Sequence, residues 1–242
     1  MKTLDLAEPL VAAPRRAAWR DQIDVWFDLI CPWCLIGKRH LDTALATWRA
    51  QRPTDTVVLR WHPVRLIEGV PPEGWDFAAF YERRLGSPQA VAARQAQVRA
   101  AAAQASLSIA FERIRRFPDT APAHQLVLLA ARRLGDMAQA ALIERLFQGY
   151  FHQGQDLGDR PWLLQLGAEW GLDVAEAASR LDLPLPQTEP VPGVPFFVFN
   201  WYFHYRVPVL TSIGMLDFAG NVTMLVLAII GWRAARADEA RA

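Results

Sequence analysis

Ile23-Asp24-Val25-Trp26-Phe27-Asp28-Leu29-Ile30 leads directly into Cys31-Pro32-Trp33-Cys34. The first eight residues are β-branched and aromatic, which predicts a strand running up to the first cysteine. Beyond the cysteines, Leu41, Leu45 and Trp48 fall at i, i+4 and i+7, the apolar stripe of an amphipathic helix. Pro53 lies past the end of that helix, and Val57-Val-Leu-Arg-Trp-His-Pro-Val64 predicts a second strand. The first 64 residues therefore form a strand, a helix and a strand, with the cysteine pair at the first strand-to-helix turn.

That position has chemical consequences. The N–H groups of a first helical turn lack intrahelical partners, and the helix dipole is positive there. Both favour a thiolate over a thiol at Cys31. Pro32 has no N–H to leave unpaired at the first turn, and its ring holds the helical φ. Cys34 lies on the same turn, within reach of Cys31 and expected to be more buried. Cys31 is then the nucleophile that attacks a disulfide, and Cys34 resolves the mixed disulfide. A zinc site made with His40 and His62 competes with this reading. It needs four converging ligands, and His40 on the same helix is badly placed to close such a shell. Two inert core thiols are the other alternative, disfavoured by the helix-start setting. No metal is expected.

Composition narrows the class further. The chain has 242 residues, 52% hydrophobic and 21% charged, enough for one large domain or one domain carrying an insertion. Lys plus Arg is 26 and Asp plus Glu is 25, so no basic excess points to nucleic acid. With two cysteines in a single run, no framework of structural disulfides is available. Residues 1–22 are an aperiodic arm whose longest apolar run, Leu10 to Ala13, is too short for an export signal. The expected compartment is the cytoplasm, where a lone Cys-x-x-Cys is redox-active or metal-binding rather than structural. No phosphate-cradling glycine loop appears, so no nucleotide or flavin is expected.

Residues 75 to about 182 are almost entirely helical in pattern. Ser87 before Pro88, Asp119 or Thr120, Asp159 before Pro161, and Asp173 are helix-start signals, and Gly135 is a stop. Leu126 to Leu134 is apolar nearly all round and predicts a buried helix. A proline-rich linker follows, then Val194-Pro-Phe-Phe-Val-Phe199, a strand whose proline belongs at its start. The expected organisation is an arm over 1–22, a first sheet part over 23–74, a helical insertion over 75–185 and a second sheet part over 186–242.

The strand, the Cys31-Pro32-Trp33-Cys34 run, the helical insertion and Gly193-Val194-Pro195-Phe196-Phe197 resemble the DsbA-like thioredoxin-fold superfamily, in its FrnE-like cytoplasmic branch. Phe27-Asp28-Leu29-Ile30, Ile36-Gly37-Lys38-Arg39, Pro71-Pro72-Glu73-Gly74, Ala123-His124 and Gly154-Gln155-Asp156-Leu157-Gly158-Asp159 also fit, and the likeness covers about residues 23–199. The resemblance implies an α/β thioredoxin fold with an inserted all-helical domain, acting as a thiol–disulfide oxidoreductase on protein or small-molecule thiols and disulfides. It implies a cis peptide before Pro195, which turns the Val194 backbone toward substrate and crowds metal away from the thiols. Pro32 and Trp33 would shape the substrate site with them. The periplasmic oxidant of the superfamily has a histidine between its cysteines; Trp33 implies a less oxidising pair here. A sister branch holds the 2-hydroxychromene-2-carboxylate isomerases and kappa-class glutathione transferases, which generally keep a serine at the position of Cys31. Two cysteines favour dithiol exchange, with no cofactor beyond the redox-active pair and with glutathione as a potential co-substrate. Outside catalysis, the same pair would serve as a redox switch.

Two further residues are candidate modulators. Asp28 either acts on Cys31 or is a solvated strand-end carboxylate, and His124 either lines the groove by the cysteines or is a satisfied structural histidine. After Asn200 the sequence leaves the family pattern. A last strand is expected within 201–210 and a last helix over 218–236, with 222–230 apolar on every face but Thr223. Residues 218–232 carry no charge and as a helix would span about 22 Å, short of a bilayer core of ~30 Å. Burial of residues 207–232 against the sheet or in a homodimer contact is therefore expected over membrane insertion.

Overall fold

The computed structural model describes residues 20–54, 56–200 and 206–210. β1 (Arg20–Phe27) leads through a turn into α1 (Pro32–Gln51), and the chain returns as β2 (Thr56–Pro63), parallel to β1. α1 buries Leu41, Leu45 and Trp48, the anticipated stripe, in one core with Val25 and Phe27 of β1. Each such side chain contributes about 1.5–3 kcal/mol by leaving water.

β1 stops at Phe27, three residues before the boundary expected from sequence. The Cys31 N–H donates to the Asp28 carbonyl at 3.1 Å and closes a turn, while the Leu66 N–H donates to the Asp28 carboxylate at 2.8 Å. Leu29 and Ile30 are apolar because the core buries them in that turn, not because they continue the ladder.

Helices follow. β3 (Trp75–Asp76) precedes α2 (Phe77–Leu85) and α3 (Pro88–Gln104), and β4 (Arg116–Phe117) pairs back with β3. α4 (Ala121–Leu134), α5 (Asp136–Gln148), α6 (Arg160–Glu169) and α7 (Val174–Leu181) complete the insertion. Ser87, Asp159 and Asp173 cap α3, α6 and α7 by accepting from Ala90, Trp162 and Glu176 N–H, and Gly135 ends α4. At α4 the duty is split. Thr120 holds the cap position without a side-chain bond, and Asp119 accepts from the Ala121 N–H. The β3–β4 pair and the π-helical turn Gly149–Gln153 continuing α5 were not anticipated, since segments this short carry no readable period.

Buried Lys38 ties the two parts together. Its ammonium donates to Asp42 at 2.8 Å and to Glu144 of α5 at 2.9 Å, and Arg39 reaches the other Glu144 oxygen at 2.8 Å. The sheet is then completed by β5 (Phe196–Asn200), antiparallel to β1, and β6 (Arg206–Leu210), antiparallel to β5, in the order β2-β1-β5-β6. Pro63 and Pro208 both fall on edge strands, where a missing ladder N–H is tolerated. The result is an α/β thioredoxin fold with a helical insertion. Apart from β6, the last-helix, membrane and homodimer readings of the tail lie outside the described residues. No helix among the described residues is long and apolar enough to cross a membrane.

Candidate active site

The β1-to-α1 turn places Cys31 at the N-cap of α1 and Pro32 at the helix start. The Cys31 carbonyl already accepts from the N–H groups of Cys34 and Leu35, at 3.0 and 3.3 Å, so the thiol-bearing residue is locked to the first turn. Its side chain makes no cap bond to that turn. Instead Sγ lies 3.7 Å from the Val194 carbonyl oxygen, across the chain from the segment that leads into β5. The Val194–Pro195 peptide is cis, and Pro195 is buried. Thus the structure brings Cys31, Cys34, Pro32, Val194 and Pro195 together from sequence positions far apart.

Both sulfurs are largely sheltered, Cys31 at 5% and Cys34 at 3% exposure. Burial pushes the Cys34 thiol well above its ordinary value, reinforced by the hydrogen bond and charge of the Cys31 sulfur. Cys34 therefore holds its proton, while Cys31 faces an opening. That opening is a groove of about 550 Å³ between the Cys31 turn and α2 and α3 of the insertion. Pro32, Trp33, Leu66, Ile67 and Tyr81 are among the residues that line it. Burial, and then the nearby Cys31 sulfur, push the Tyr81 phenol up to about 12, so it stays a neutral O–H donor.

Of the two readings of each candidate modulator, the solvated one fails for Asp28 and the groove-lining one fails for His124. Asp28 is not a solvated carboxylate; its exposure is 0%. One oxygen accepts from Leu66 N–H, and the other lies 3.2 Å from His124 Nε2. His124, also at 0%, does not line the groove. Its ring packs edge-on to Phe27 at 5.1 Å. Nor is it fully satisfied, because Nδ1 is buried with no hydrogen-bond partner among the described residues. The pair is buried behind the cysteine turn, and Asp28 acts on Cys34 in two opposed ways, a backbone hydrogen bond that lowers the thiol and, more weakly, a charge that raises it. His62, weighed as a zinc ligand, instead bonds Asp24 at 2.7 Å and stacks on Trp26. Among the described residues no three His, Cys, Asp or Glu side chains gather as a metal site would require.

The sequence reading missed Tyr81, Arg84 and Arg94, which line the same groove as Cys31. The signal was there in part: Phe77, Phe80, Tyr81, Arg84 and Leu85 recur at helical spacing, but that pattern alone does not say what the face looks at.

A thioredoxin-type sheet with a dithiol at the start of its first helix defines the class as a thioredoxin-fold thiol protein. More narrowly, residues 22–189 match the family model of the DSBA-like thioredoxin domain, and the chain belongs to that family. Its members are generally thiol–disulfide oxidoreductases. Among solved structures, the chain is similar to a probable DsbA oxidoreductase from Streptomyces coelicolor, at 24% identity over 86% of this chain and 90% of that one, with a TM-score of 0.65. It is similar in fold to a 2-hydroxychromene-2-carboxylate isomerase, at 12% identity over 90% and 98% of the two chains and a TM-score of 0.56. It also resembles the cytosolic disulfide reductase DsbM from Pseudomonas aeruginosa, at 21% identity over 86% and 99%, with a TM-score of 0.51. Comparison with curated protein sequences finds no match.

Proposed function

We propose that the chain exchanges disulfides through the Cys31–Cys34 dithiol. The Cys31 thiolate attacks one sulfur of a substrate R–S–S–R′. The substrate S–S bond breaks, a Cys31–S–R bond forms, and R′S⁻ leaves and takes up a proton. Cys34 then gives up its proton and attacks the Cys31 sulfur, and RS⁻ leaves. Two electrons have passed from the dithiol to the substrate, and the protein holds a Cys31–Cys34 disulfide. Two equivalents of a small thiol such as glutathione restore the dithiol and are released as their own disulfide, a cycle that suits a reducing cytoplasm.

The observation that carries this reading is the asymmetry of the two thiols. Cys31 borders the groove at an uncapped helix start, and Cys34 is buried behind it with its thiol pushed up. Such a pair attacks with the outer sulfur and delays the inner one until a mixed disulfide has formed. Pro32, Trp33, Val194 and Pro195 form the substrate contact in this reading, and the Val194 carbonyl beside Sγ is a hydrogen-bond acceptor for an extended substrate backbone.

The test is turnover of a disulfide substrate with glutathione as reductant. Cys31→Ser should abolish it. Cys34→Ser should retain the attack and accumulate a mixed disulfide on Cys31, detected by intact mass. Many turnovers per protein identify an enzyme, whereas a single conversion identifies a switch. Equal loss in both variants with no trapped adduct would overturn the assignment.

A further inference from the structure

The groove that Cys31 faces has a lopsided chemistry. Its walls are apolar over most of their area, with Ile67, Phe80, Leu85 and Val98 among them, and no acidic side chain lines it. Two arginines do: Arg84 in the last turn of α2 and Arg94 in the first half of α3. Both are exposed. Neither has an ion-pair or hydrogen-bond partner among the described residues, unlike Arg39, Arg65, Arg99, Arg133 and Arg160, each held by a carboxylate. Two unpaired guanidinium groups that line one apolar groove with the Cys31 sulfur form a half-built anion site.

The geometry points to a substrate class: we propose that Arg84 and Arg94 select low-molecular-weight disulfides that carry a carboxylate on an apolar or aromatic body. This rests on the dithiol reading above and adds to it the residues that choose the substrate. The size supports a small molecule over a folded protein, since about 550 Å³ lies within the roughly 300–1,000 Å³ of small-ligand clefts. The apolar wall takes the body, and the guanidinium groups take the carboxylate as charge-assisted hydrogen bonds. Cys31, Tyr81, Arg84 and Arg94 all line this one groove, so the sulfur and the cations open on the same space. The chemical step is the first exchange already written, with R′S⁻ released as a carboxylate-bearing thiol.

Charge-matched probes test this in a single turnover, without a reductant. Fully reduced protein is mixed with 4,4′-dithiobis(benzoic acid) or with its neutral diamide, and thiol release is followed by absorbance. Each rate constant is divided by that of an uncharged free thiol with the same probe, which removes intrinsic reactivity. The wild type should favour the acid by about tenfold, as expected for two partly screened guanidinium–carboxylate contacts. The preference should shrink toward one as salt approaches ~1 M, where the Debye length is about 3 Å. Arg84→Gln/Arg94→Gln should bring the ratio near one, and Arg84→Lys/Arg94→Lys should keep part of it. Glutathione disulfide, run beside the probes, separates a need for carboxylate alone from a need for carboxylate plus apolar body. An acid-to-amide ratio of one in the wild type, a ratio that ignores salt, or one unchanged in the glutamine variant overturns the selection while leaving dithiol exchange standing. No thiol release from any probe overturns the dithiol reading and this inference with it.

Discussion

Asp28 and His124 give the sharpest quantitative expectation. Both side chains are fully buried, and between them they hold two polar contacts, Leu66 N–H on one carboxylate oxygen at 2.8 Å and His124 Nε2 on the other at 3.2 Å, while His124 Nδ1 has no partner among the described residues. Asp28→Ala removes the acceptor from the Leu66 N–H and from the buried His124 ring at once. At about 1–3 kcal/mol for each group left unpaired, the loss should be about 2–6 kcal/mol. Asp28→Asn keeps an oxygen for Leu66 and gives up only the charge toward His124, so it should cost about 1–2 kcal/mol. His124→Leu leaves Asp28 short of one partner but also removes the orphaned Nδ1, so its cost is partly offset. If the two residues act as one unit, Asp28→Asn/His124→Leu should be less damaging than the sum of the singles, with a coupling of about 2 kcal/mol. Urea unfolding of the reduced protein, followed by tryptophan fluorescence, measures all four corners of the cycle. Asp76→Ala, which removes an exposed cap on α2, should cost about 1 kcal/mol and add independently. A coupling within about 0.5 kcal/mol of zero would refute the view that the buried carboxylate and imidazole form a pair.

Three further outcomes follow from the same structure. The Cys34 thiol is raised by burial first and Cys31 second, so the unfolded chain loses that proton before the folded one. Reduced protein should therefore hold its stability below about pH 9 and lose at most about 1.4 kcal/mol per pH unit from this group above it; a urea series should show that component missing in Cys34→Ser, and Tyr81 and Tyr150, also raised, should steepen the fall above about pH 10. At the acid end, burial alone would raise the Glu144 carboxyl, but the hydrogen bond and charge of Lys38, with Gln148 and Arg39, outweigh it and lower it. The stability Glu144 contributes is thus present above its ordinary range near pH 4.5 and lost as pH falls below it; Glu144→Gln should flatten the acid limb of a stability–pH profile. Finally, Gly154 has φ +72° and a Cβ there would run into the Arg113 carbonyl, so Gly154→Ala should cost at least about 2 kcal/mol, while Gly69→Ala, also at positive φ but with open space around it, should cost about 1 kcal/mol in thermal melts.

The βαβ unit was readable because it rests on period and punctuation. Leu41, Leu45 and Trp48 mark a face, and Pro32 fixes a helix start whatever the rest of the chain does. The caps at Ser87, Asp159 and Asp173 were readable for the same local reason. Two of the quoted family stretches now have physical causes. Gly74, at φ +69°, passes close to the Phe117 backbone, where a Cβ would come within 2.9 Å of its carbonyl oxygen. Gly154 meets Arg113 in the same way. What local pattern could not supply was partnership across long separations. Asp28 stayed open between a modulator of Cys31 and a solvated strand-end carboxylate because its two partners, Leu66 and His124, are 38 and 96 residues away. Leu29 and Ile30 looked like strand for a related reason: burial makes a turn as apolar as a ladder.

The same limit explains why the candidate nucleophile was legible and its groove was not. Cys31 is placed by contiguous sequence, one strand, one turn and one helix start. The wall it faces comes from α2 and α3 of the insertion, where Tyr81, Arg84 and Arg94 each pass for ordinary residues of a half-exposed helix. Their meaning arises only when the insertion folds back over the cysteine turn. This division has a consequence for specificity. Changes at Cys31 or Cys34 alter the exchange chemistry itself, whereas α2 and α3 can change the charge and shape presented to a substrate without touching the sheet that holds the sulfurs. In this chain that wall is apolar and carries two unpaired cations and no acid. In the proposed exchange, the selectivity of the dithiol is thus set by the insertion, and its reactivity by the turn.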